Sequence, residues 1–370
     1  MLDEHRLAAA AEQFRRAATD SVLWEDALNR FADATGTRTG QLIALGHDSL
    51  VPLNIMTRMP DEAALEFIEV GGGNPEINSR VRVGSSAREM VFLDQADFDV
   101  EGDQQRSPEF GAWIDRYDIG YTCITTLVRQ PGTLIGFAAL RSNAEGSMRD
   151  DEKRAFMTLA GHARAAVNLA ISLEGQRAQS VASALEHMSM AALILDGTGR
   201  VLAMSSLADR MLVKGLVGRV IDGILSPSRV DERDRFNRSL AKALLARIRV
   251  DVSPPPPCVL TAQDGGRLVA EFVPLSEDSG FTFSPAIMVI LKGGAAFRSR
   301  DAGIARELFG LTAAETTVAE RLLNGRSPQD IAADTGTSVG TVRNHVHRIL
   351  SKAHCKSQVE LLALLRRYGC

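Results

Sequence analysis

The sequence is poor in cysteine and in aromatic residues, and both shortages exclude classes of protein. The chain has 370 residues and four cysteines, none in a CxxC pair, namely Cys123, Cys258, Cys355 and Cys370. This spacing indicates neither a disulfide framework nor a zinc module. Aromatic residues make up 5% and charged residues 24%, which is an ordinary globular mixture and excludes a disordered, collagen-like or coiled-coil chain.

Long apolar runs are also lacking. The longest, such as Ala191–Leu195 and Ala286–Leu291, are far shorter than the ~18 residues that cross a bilayer. The chain opens with Met1-Leu2-Asp3-Glu4, and acids stand where a secretory signal has Lys or Arg. We therefore expect a cytoplasmic protein without membrane contact, and a length that allows two or three domains.

Charge is distributed unevenly along the chain. The last 68 residues, from Gly303 to Cys370, contain nine Lys/Arg and six Asp/Glu, a net charge of +3. Because the whole chain carries −4, the preceding 302 residues carry −7. A basic end on an acidic body is typical of a protein that binds nucleic acid through that end.

The periodicity divides the chain into four segments. Residues 1–175 combine helical patterns with strand-like runs at Gln41–Leu45, Thr122–Val128 and Thr133–Leu140, and a long helix begins near Arg149. The stretch 71–90 has no clear periodicity and is predicted to be a loop. Residues 178–294 alternate short strands with helices around a turn at Asp196-Gly197-Thr198-Gly199. Residues 295–303 read as a linker, and 304–370 as helical throughout.

Capping signals predict a helix-turn-helix in the last segment. Thr312-x-x-Glu315 is a capping box, and the helix that it starts ends by Gly325. Ser327-Pro328 starts a second helix that stops at Gly336, and Ser338 caps a third. Two short helices separated by a tight glycine turn are the layout of this motif.

The third helix has two contrasting sides at about 100° per residue. One side is apolar and comprises Val342, Val346, Ile349, Leu350 and Ala353. The other is polar and free of acids, and comprises Gly340, Arg343, Asn344, His347 and Ser351. A carboxylate on that side would be repelled by phosphate, whereas Arg can bond guanine and Asn adenine, with about 1–3 kcal/mol of discrimination for each good pair. The polar side therefore fits a DNA major groove.

Three motifs in this segment resemble the LuxR-type helix-turn-helix family. They are Leu311-Thr312-x-x-Glu315-x-x-Val318, Gly325-x-Ser327-x-x-x-Ile331-Ala332 and Ser338-x-x-Thr341-Val342-Arg343-x-His345-Val346-x-x-Ile349-x-x-Lys352. The resemblance extends from Leu311 to Arg367. It implies a four-helix domain that binds double-stranded DNA as a homodimer in bacterial transcription control, with RNA polymerase as a candidate partner.

The resemblance also implies roles for individual residues. The positions that face base edges in this family match Arg343, Asn344 and His347. Contacts with the DNA backbone are assigned to Ser338, Thr341, Lys352 and Lys356. A last helix, capped by Ser357, would contribute the dimer contacts Val359, Leu362 and Ala363. Gly340 and His347 depart from the larger or charged residues common there, so the family's base preference is not carried over.

Two enzymatic or metal-binding interpretations of the same residues fail. Gly336-Thr337-Ser338-Val339-Gly340 matches G-x-S-x-G, but that motif follows a strand, and the preceding residues read as helix. His345 and His347 lie about 160° apart on the helix and cannot share an ion, and His354-Cys355 adds no metal spacing. We therefore expect no catalytic residues, no metal, no cofactor and no enzymatic activity.

The upstream segments resemble sensor domains. Residues 178–294 are similar in layout to PAS domains, through Leu195-Asp196-x-x-Gly199-Arg200-Val201, and 1–175 to GAF domains. Three aromatic residues recur at four-residue steps, Trp113, Tyr117 and Tyr121, and this pattern resembles the rings that line the pockets of acyl-homoserine-lactone sensors. The favoured interpretation is nevertheless ordinary aromatic packing between a helix and a sheet.

The sequence thus predicts a multidomain chain with α+β sensor-like domains, GAF-like and PAS-like, followed by an all-α four-helix helix-turn-helix domain. The predicted function is a sequence-specific DNA-binding transcriptional regulator whose activity is set by an unknown small-molecule effector or partner at the upstream domains. The alternative is an adaptor or small-molecule-binding protein whose helical end contacts protein and not DNA.

Overall fold

A computed structural model describes most of the chain. The described residues are 4–46, 50–130, 132–214, 217–248, 255–262, 265–275, 284–293, 306 and 308–367. The predicted linker, 295–303, lies outside them, as does Cys370. Among the described residues, no helix is long and apolar enough to cross a membrane.

The first region is a four-stranded antiparallel sheet with helices on both faces. The sheet order is β2-β1-β4-β3, with β1 Thr39–Leu45, β2 Leu53–Met56, β3 Tyr121–Gln130 and β4 Thr133–Arg141. The helices are α1 Glu4–Ala17, α2 Trp24–Thr35, α3 Asp61–Glu69, α4 Ser79–Ser86, α5 Val100–Arg106, α6 Pro108–Arg116 and α7 Asp150–His187.

Alternation along the strands supplies apolar side chains to both faces of this sheet. Phe137 of β4 points to one face, where its ring packs against Phe31 of α2 and Phe156 of α7. Its neighbour Ala138 belongs to the opposite cluster, which contains Phe67 of α3 and Trp113 of α6. Successive strand side chains alternate between faces, so a sheet buried on both sides reads as a nearly continuous apolar run.

Two rings of the aromatic triplet singled out in the sequence stay in contact, since the ring centroids of Trp113 and Tyr117 lie 5.6 Å apart. Trp113 is buried and its Nε1 donates to the Ala63 carbonyl oxygen at 3.2 Å. The Tyr117 hydroxyl donates to Glu66 Oε2 at 3.1 Å, and Tyr121 opens β3. Packing of helix against sheet therefore accounts for Trp113, as favoured, and Tyr117 packs beside it against the same apolar cluster.

The loop predicted over 71–90 is wrong in its middle part: residues 71–78 and 87–90 lie outside regular secondary structure, but Ser79–Ser86 form α4. The Asn78 side chain caps this helix by accepting from the Arg80 backbone N–H at 3.0 Å. The buried Asp103 of α5 then accepts from the Ser79 backbone N–H at 2.8 Å. Since Asp103 is distant in sequence, the helix depends on a tertiary contact that periodicity does not report.

The second region is a five-stranded antiparallel sheet of order β6-β5-β11-β10-β9 beside a separate hairpin. Its strands are β5 Ala191–Asp196, β6 Val201–Met204, β7 Gly218–Ile221, β8 Ile224–Pro227, β9 Cys258–Thr261, β10 Arg267–Pro274 and β11 Pro285–Gly293, with α8 Ser206–Lys214 and α9 Val230–Ile248. The predicted turn is confirmed: buried Asp196 accepts from the Thr198 and Arg200 backbone N–H groups, and Gly199 has φ 84°.

Helix α7 belongs to both regions. Its first half, including Phe156 and Val167, packs in the core of the first region. Its second half places Ala178 and Ala182 against Ile194 and Ala203 of the second sheet. The predicted division at 175–178 therefore falls inside a continuous 38-residue helix.

The C-terminal region is helical, with α10 Ala313–Leu323, α11 Pro328–Thr335, α12 Val339–Lys352 and α13 Gln358–Arg367. Its own core includes Val318, Ile331, Val342 and Ile349. The predicted fold class, a multidomain chain with α+β domains followed by an all-α four-helix domain, is confirmed: regions that combine helices and sheets precede the helical domain.

Candidate nucleic-acid interface

The two helices before α12 are set by the predicted caps. The Thr312 hydroxyl accepts from the Glu315 N–H at 3.3 Å, and Glu315 Oε2 accepts from the Thr312 N–H at 2.8 Å. Ser327 and Asp330 form the same reciprocal box at the start of α11. This helix ends at Gly336, whose left-handed φ of 65° suits glycine. These local signals fix the approach of α12 to the other helices.

Helix α12 presents the polar side predicted from the sequence. Val342, Val346, Ile349 and Ala353 are buried against α10, α11 and α13, and Leu350 is half-buried. Gly340, Arg343, Asn344, His347 and Ser351 are all exposed. The helix contains no Asp or Glu, so its exposed surface carries hydrogen-bond donors and no carboxylate.

The start of α12 is closed by hydroxyl groups. Ser338 Oγ accepts from the Thr341 backbone N–H at 3.0 Å and lies 2.9 Å from Thr341 Oγ1. Both side chains are exposed. At the other end, the Lys356 side chain is exposed in the turn before α13, while its backbone N–H donates to Glu360 Oε2 at 2.8 Å. Ser338, Thr341 and Lys356 therefore remain open to an external group.

Lys352, the fourth residue assigned to the DNA backbone, is engaged within the domain. Its Nζ lies 2.7 Å from Glu315 Oε2 and donates to the Gly310 carbonyl oxygen at 2.9 Å. The Glu315 side chain is 3% exposed, and the hydrogen bond from Lys352 is the first cause that lowers its pKa, to about 2. The ammonium group therefore ties the end of α12 to the start of α10.

Helix α13 has one buried and one open side. Leu361 and Leu365 are buried in the domain core. Val359 is 78% exposed, Ala363 is exposed and Leu362 is half-buried. The three residues assigned to a dimer contact thus provide a small apolar surface on a single chain.

The sequence of this region matches a known family. The model for the family described as bacterial regulatory proteins, luxR family, matches residues 310–365, which span α10 to α13 up to Leu365. Residues 310–365 are a LuxR-type helix-turn-helix domain. The match is to a family of regulatory proteins, not to enzymes, and confirms the resemblance expected from the motifs.

Solved structures with low similarity include regulators of this type. CepR2 from Burkholderia cenocepacia, an N-acylhomoserine lactone dependent LuxR family transcription factor, covers 46% of this chain and 99% of its own, with 14% identity and a TM-score of 0.36. The VqsR LBD domain from Pseudomonas aeruginosa covers 46% and 97%, with 11% identity and a TM-score of 0.34. Escherichia coli SdiA covers 93% and 90%, with 8% identity and a TM-score of 0.28. Similarity at this level assigns neither ligand nor DNA site to this chain, and no curated protein matches it by sequence.

The structure of the LuxR-type domain does not support the nucleophile-elbow interpretation or the metal-site interpretation of its residues. The residues before Ser338 form α11, so the strand that a nucleophile elbow requires is replaced by a helix. His347 is exposed whereas His345 is half-buried, which places their rings on different sides of α12. Across the described ranges, no group of three His, Cys, Asp or Glu side chains could hold a metal ion.

Sequence reasoning missed one polar site outside the LuxR-type domain. Arg80 of α4 is buried beside an apolar cavity of the first region. Because the lack of periodicity predicts a loop over 71–90, nothing in the sequence places this arginine in a core. The Asn78-Ser79 pair at the start of α4 is the local signal that could have indicated the helix.

Proposed function

We propose that this chain is a sequence-specific DNA-binding transcriptional regulator whose helix α12 enters the major groove. The observation that carries the proposal is the exposed side of α12, on which Arg343, Asn344 and His347 lie together without any carboxylate. Phosphates surround a groove on both sides, so an acid-free, donor-rich helix face is favoured there. The match to a regulatory family over the same helices supports the assignment.

The exposed residues divide into two roles. Arg343 can donate two hydrogen bonds to guanine, Asn344 can pair with adenine, and His347 reaches the next base edge along the helix. Ser338, Thr341 and Lys356 contact the phosphate backbone. Lys352 is not included among the phosphate contacts because its ammonium group is bound to Glu315; the exposed Arg348 supplies a cation on the same helix.

Two copies of the chain bind together in this proposal. The open side of α13, with Val359, Leu362 and Ala363, forms the contact between the DNA-binding domains. A two-fold dimer would place two recognition helices in successive major grooves, ~34 Å apart along the DNA. Binding near a promoter then brings the protein within reach of RNA polymerase.

The upstream regions set the activity of the dimer. We assign residues 1–175 to a GAF-like domain, 178–294 to a PAS-like domain, 295–303 to a linker and 304–370 to the DNA-binding domain. Helix α7 packs in the cores of both upstream domains. A small molecule bound in the first domain would therefore act on a helix that the second domain shares.

The test is the salt dependence of DNA binding by the full chain. Fluorescence anisotropy with a labelled random-sequence duplex should show affinity falling by about 10³-fold between about 50 and about 200 mM salt if a dimer makes about six phosphate contacts. Arg154→Ala removes the charge of an exposed arginine on α7, outside the proposed DNA contacts, and should leave this salt dependence unchanged. Absence of any DNA signal at low salt would favour the adaptor instead.

A further inference from the structure

A cavity of about 80 Å³ lies between the first sheet and the helices α3, α4 and α6. This is several times the roughly 10–15 Å³ that a single buried water requires. Its walls are mainly apolar and include Ile43, Phe67, Phe110, Trp113, Ile124 and Leu140. A cavity with such walls and a few polar groups is the usual composition of a small-molecule site.

Arg80 brings an unpaired positive charge to this cavity. Arg80 is one of the residues that line the cavity, and it is 8% exposed. Within the described part of the chain, no hydrogen-bond partner reaches its Nε, Nη1 or Nη2 atoms. The Phe98 ring, whose centroid lies 5.8 Å from Arg80 Cζ, contacts the guanidinium without accepting a conventional hydrogen bond.

Asp103, the carboxylate whose charge acts on Arg80, already has other hydrogen-bond partners. Asp103 accepts from both the backbone N–H and the hydroxyl of Ser79, and from Arg106 Nη2 at 2.7 Å. Burial lowers the pKa of Arg80 to about 10, while the charge of Asp103 opposes this, so the guanidinium stays charged at neutral pH. Removing an ion from water is unfavourable unless a hydrogen-bonded partner compensates, and among the described residues none bonds to this guanidinium.

A second polar group of the cavity is also unsatisfied. The Thr125 hydroxyl, on β3, is buried and has no hydrogen-bond partner among the described residues. Other polar groups of the wall are used internally: Asn78 Nδ2 donates to the Gly72 carbonyl oxygen, and the Thr126 hydroxyl donates to that of Gly84. The two free donors, Arg80 and Thr125, therefore line one apolar cavity.

We propose that this cavity binds a small carboxylic acid with an apolar body, whose carboxylate pairs with Arg80 and accepts from Thr125. A guanidinium matches the two oxygens of a carboxylate, and the aromatic and aliphatic walls would enclose the apolar part. The proposal rests on the proposed function, because it names the chemical class of the effector that the first domain senses. A neutral ligand would fill the apolar part but would leave the guanidinium without a counter-charge.

The experiment compares two probes of similar shape, octanoate and octanamide, by isothermal titration calorimetry on the full chain at neutral pH. We expect octanoate to bind wild type at least about tenfold more tightly than octanamide. Arg80→Met should weaken octanoate by about tenfold to a hundredfold and leave octanamide unchanged. The matched control Arg88→Met removes an exposed arginine just beyond α4 and should change neither affinity.

The thermal stability of the ligand-free variants separates a binding role from a structural one. Removal of an unpaired buried charge should leave the melting temperature of Arg80→Met equal to or above that of wild type. A clear fall would make Arg80 a structural cation and overturn the proposal. Equal affinities for octanoate and octanamide, equal losses of both in Arg80→Met, or no binding of either would also overturn it.

The same protein samples, titrated with the random-sequence duplex, keep the two proposals apart. If octanoate does not bind but salt-dependent DNA binding persists, the ligand class is wrong and the regulator stands. If octanoate binds through Arg80 and DNA does not bind, the cavity site stands and the regulator is wrong.

Discussion

Replacing Lys352 by methionine tests whether this lysine supports the fold or binds DNA. Its Nζ lies 2.7 Å from Glu315 Oε2 and donates to the Gly310 carbonyl oxygen at 2.9 Å. Glu315 is 2% exposed and also caps α10 through the Thr312 N–H. Methionine keeps most of the aliphatic length but removes the charge, which leaves a buried carboxylate with only its capping bonds.

The size of the effect follows from the pKa of Glu315. The pKa is lowered from 4.5 to about 2, and each pKa unit corresponds to about 1.4 kcal/mol. The Thr312 N–H contributes part of this shift, and the Lys352 side chain is 35% exposed, so solvent screens the pair. We therefore expect Lys352→Met to destabilise the C-terminal domain by about 1–2 kcal/mol, which is a factor of about 5–30 in local opening.

Hydrogen exchange of the full chain measures this opening directly. Amides of α10 and of the last turns of α12 should exchange about 5–30 times faster in Lys352→Met, while the salt slope of DNA binding should stay unchanged. Lys356→Met, the same change at an exposed lysine, should leave hydrogen exchange unaltered. It should lower the salt slope, the slope of log affinity for DNA against log salt concentration, by about 1 for each phosphate that the variant no longer neutralises. The opposite pattern, with normal exchange and a lower slope for Lys352→Met, would refute the structural role.

Three further predictions concern the same domain. Arg343→Ala should reduce the preference for a DNA sequence recovered by selection from random duplexes more than it reduces affinity for random DNA. Lys356→Ala should weaken binding to the selected and the random DNA alike. Equal loss of preference in the two variants, measured by anisotropy, would contradict these roles. Ile349→Ala removes a fully buried side chain and should destabilise the domain by about 2–4 kcal/mol in urea unfolding, and a loss well below 1 kcal/mol would contradict its place in the core. The folded pKa of Glu315 lies below its unfolded value, so the ionised side chain stabilises the domain above about pH 4.5 and this stabilisation is lost as pH falls towards about 2. Hydrogen exchange of the domain's amides across this pH window should show the loss in wild type and not in Glu315→Gln.

The C-terminal domain could be predicted closely because its signals are local. Thr312, Ser327 and Ser338 each bond within the next three residues, and Gly336 ends α11 by its own backbone conformation. The apolar side of α12 follows from spacing alone. The partner of Lys352 could not be predicted in this way, since Glu315 lies 37 residues earlier and meets it only through the packing of α10 on α12.

The upstream regions contain features that depend on contacts between residues distant in sequence, which local patterns do not predict. Helix α4 contains Gly84 and three serines, so its periodicity is weak, and it depends on Asp103 of α5. The predicted boundary at 175–178 rests on a change of pattern, whereas α7 continues because Ala178 and Ala182 meet the second sheet. The cavity beside Arg80 is formed by β1, β3, β4, α3, α4 and α6, and no single segment contains its chemistry.

Selection of bound fragments from random duplex DNA by the full chain tests the central claim most directly. We predict enrichment of a sequence with two inverted half-sites about one helical turn apart, and loss of preference at a base pair of each half-site in Arg343→Ala. Recovery of the same site with equal strength by Arg343→Ala, or no enrichment by wild type, would contradict the placement of α12 in the major groove.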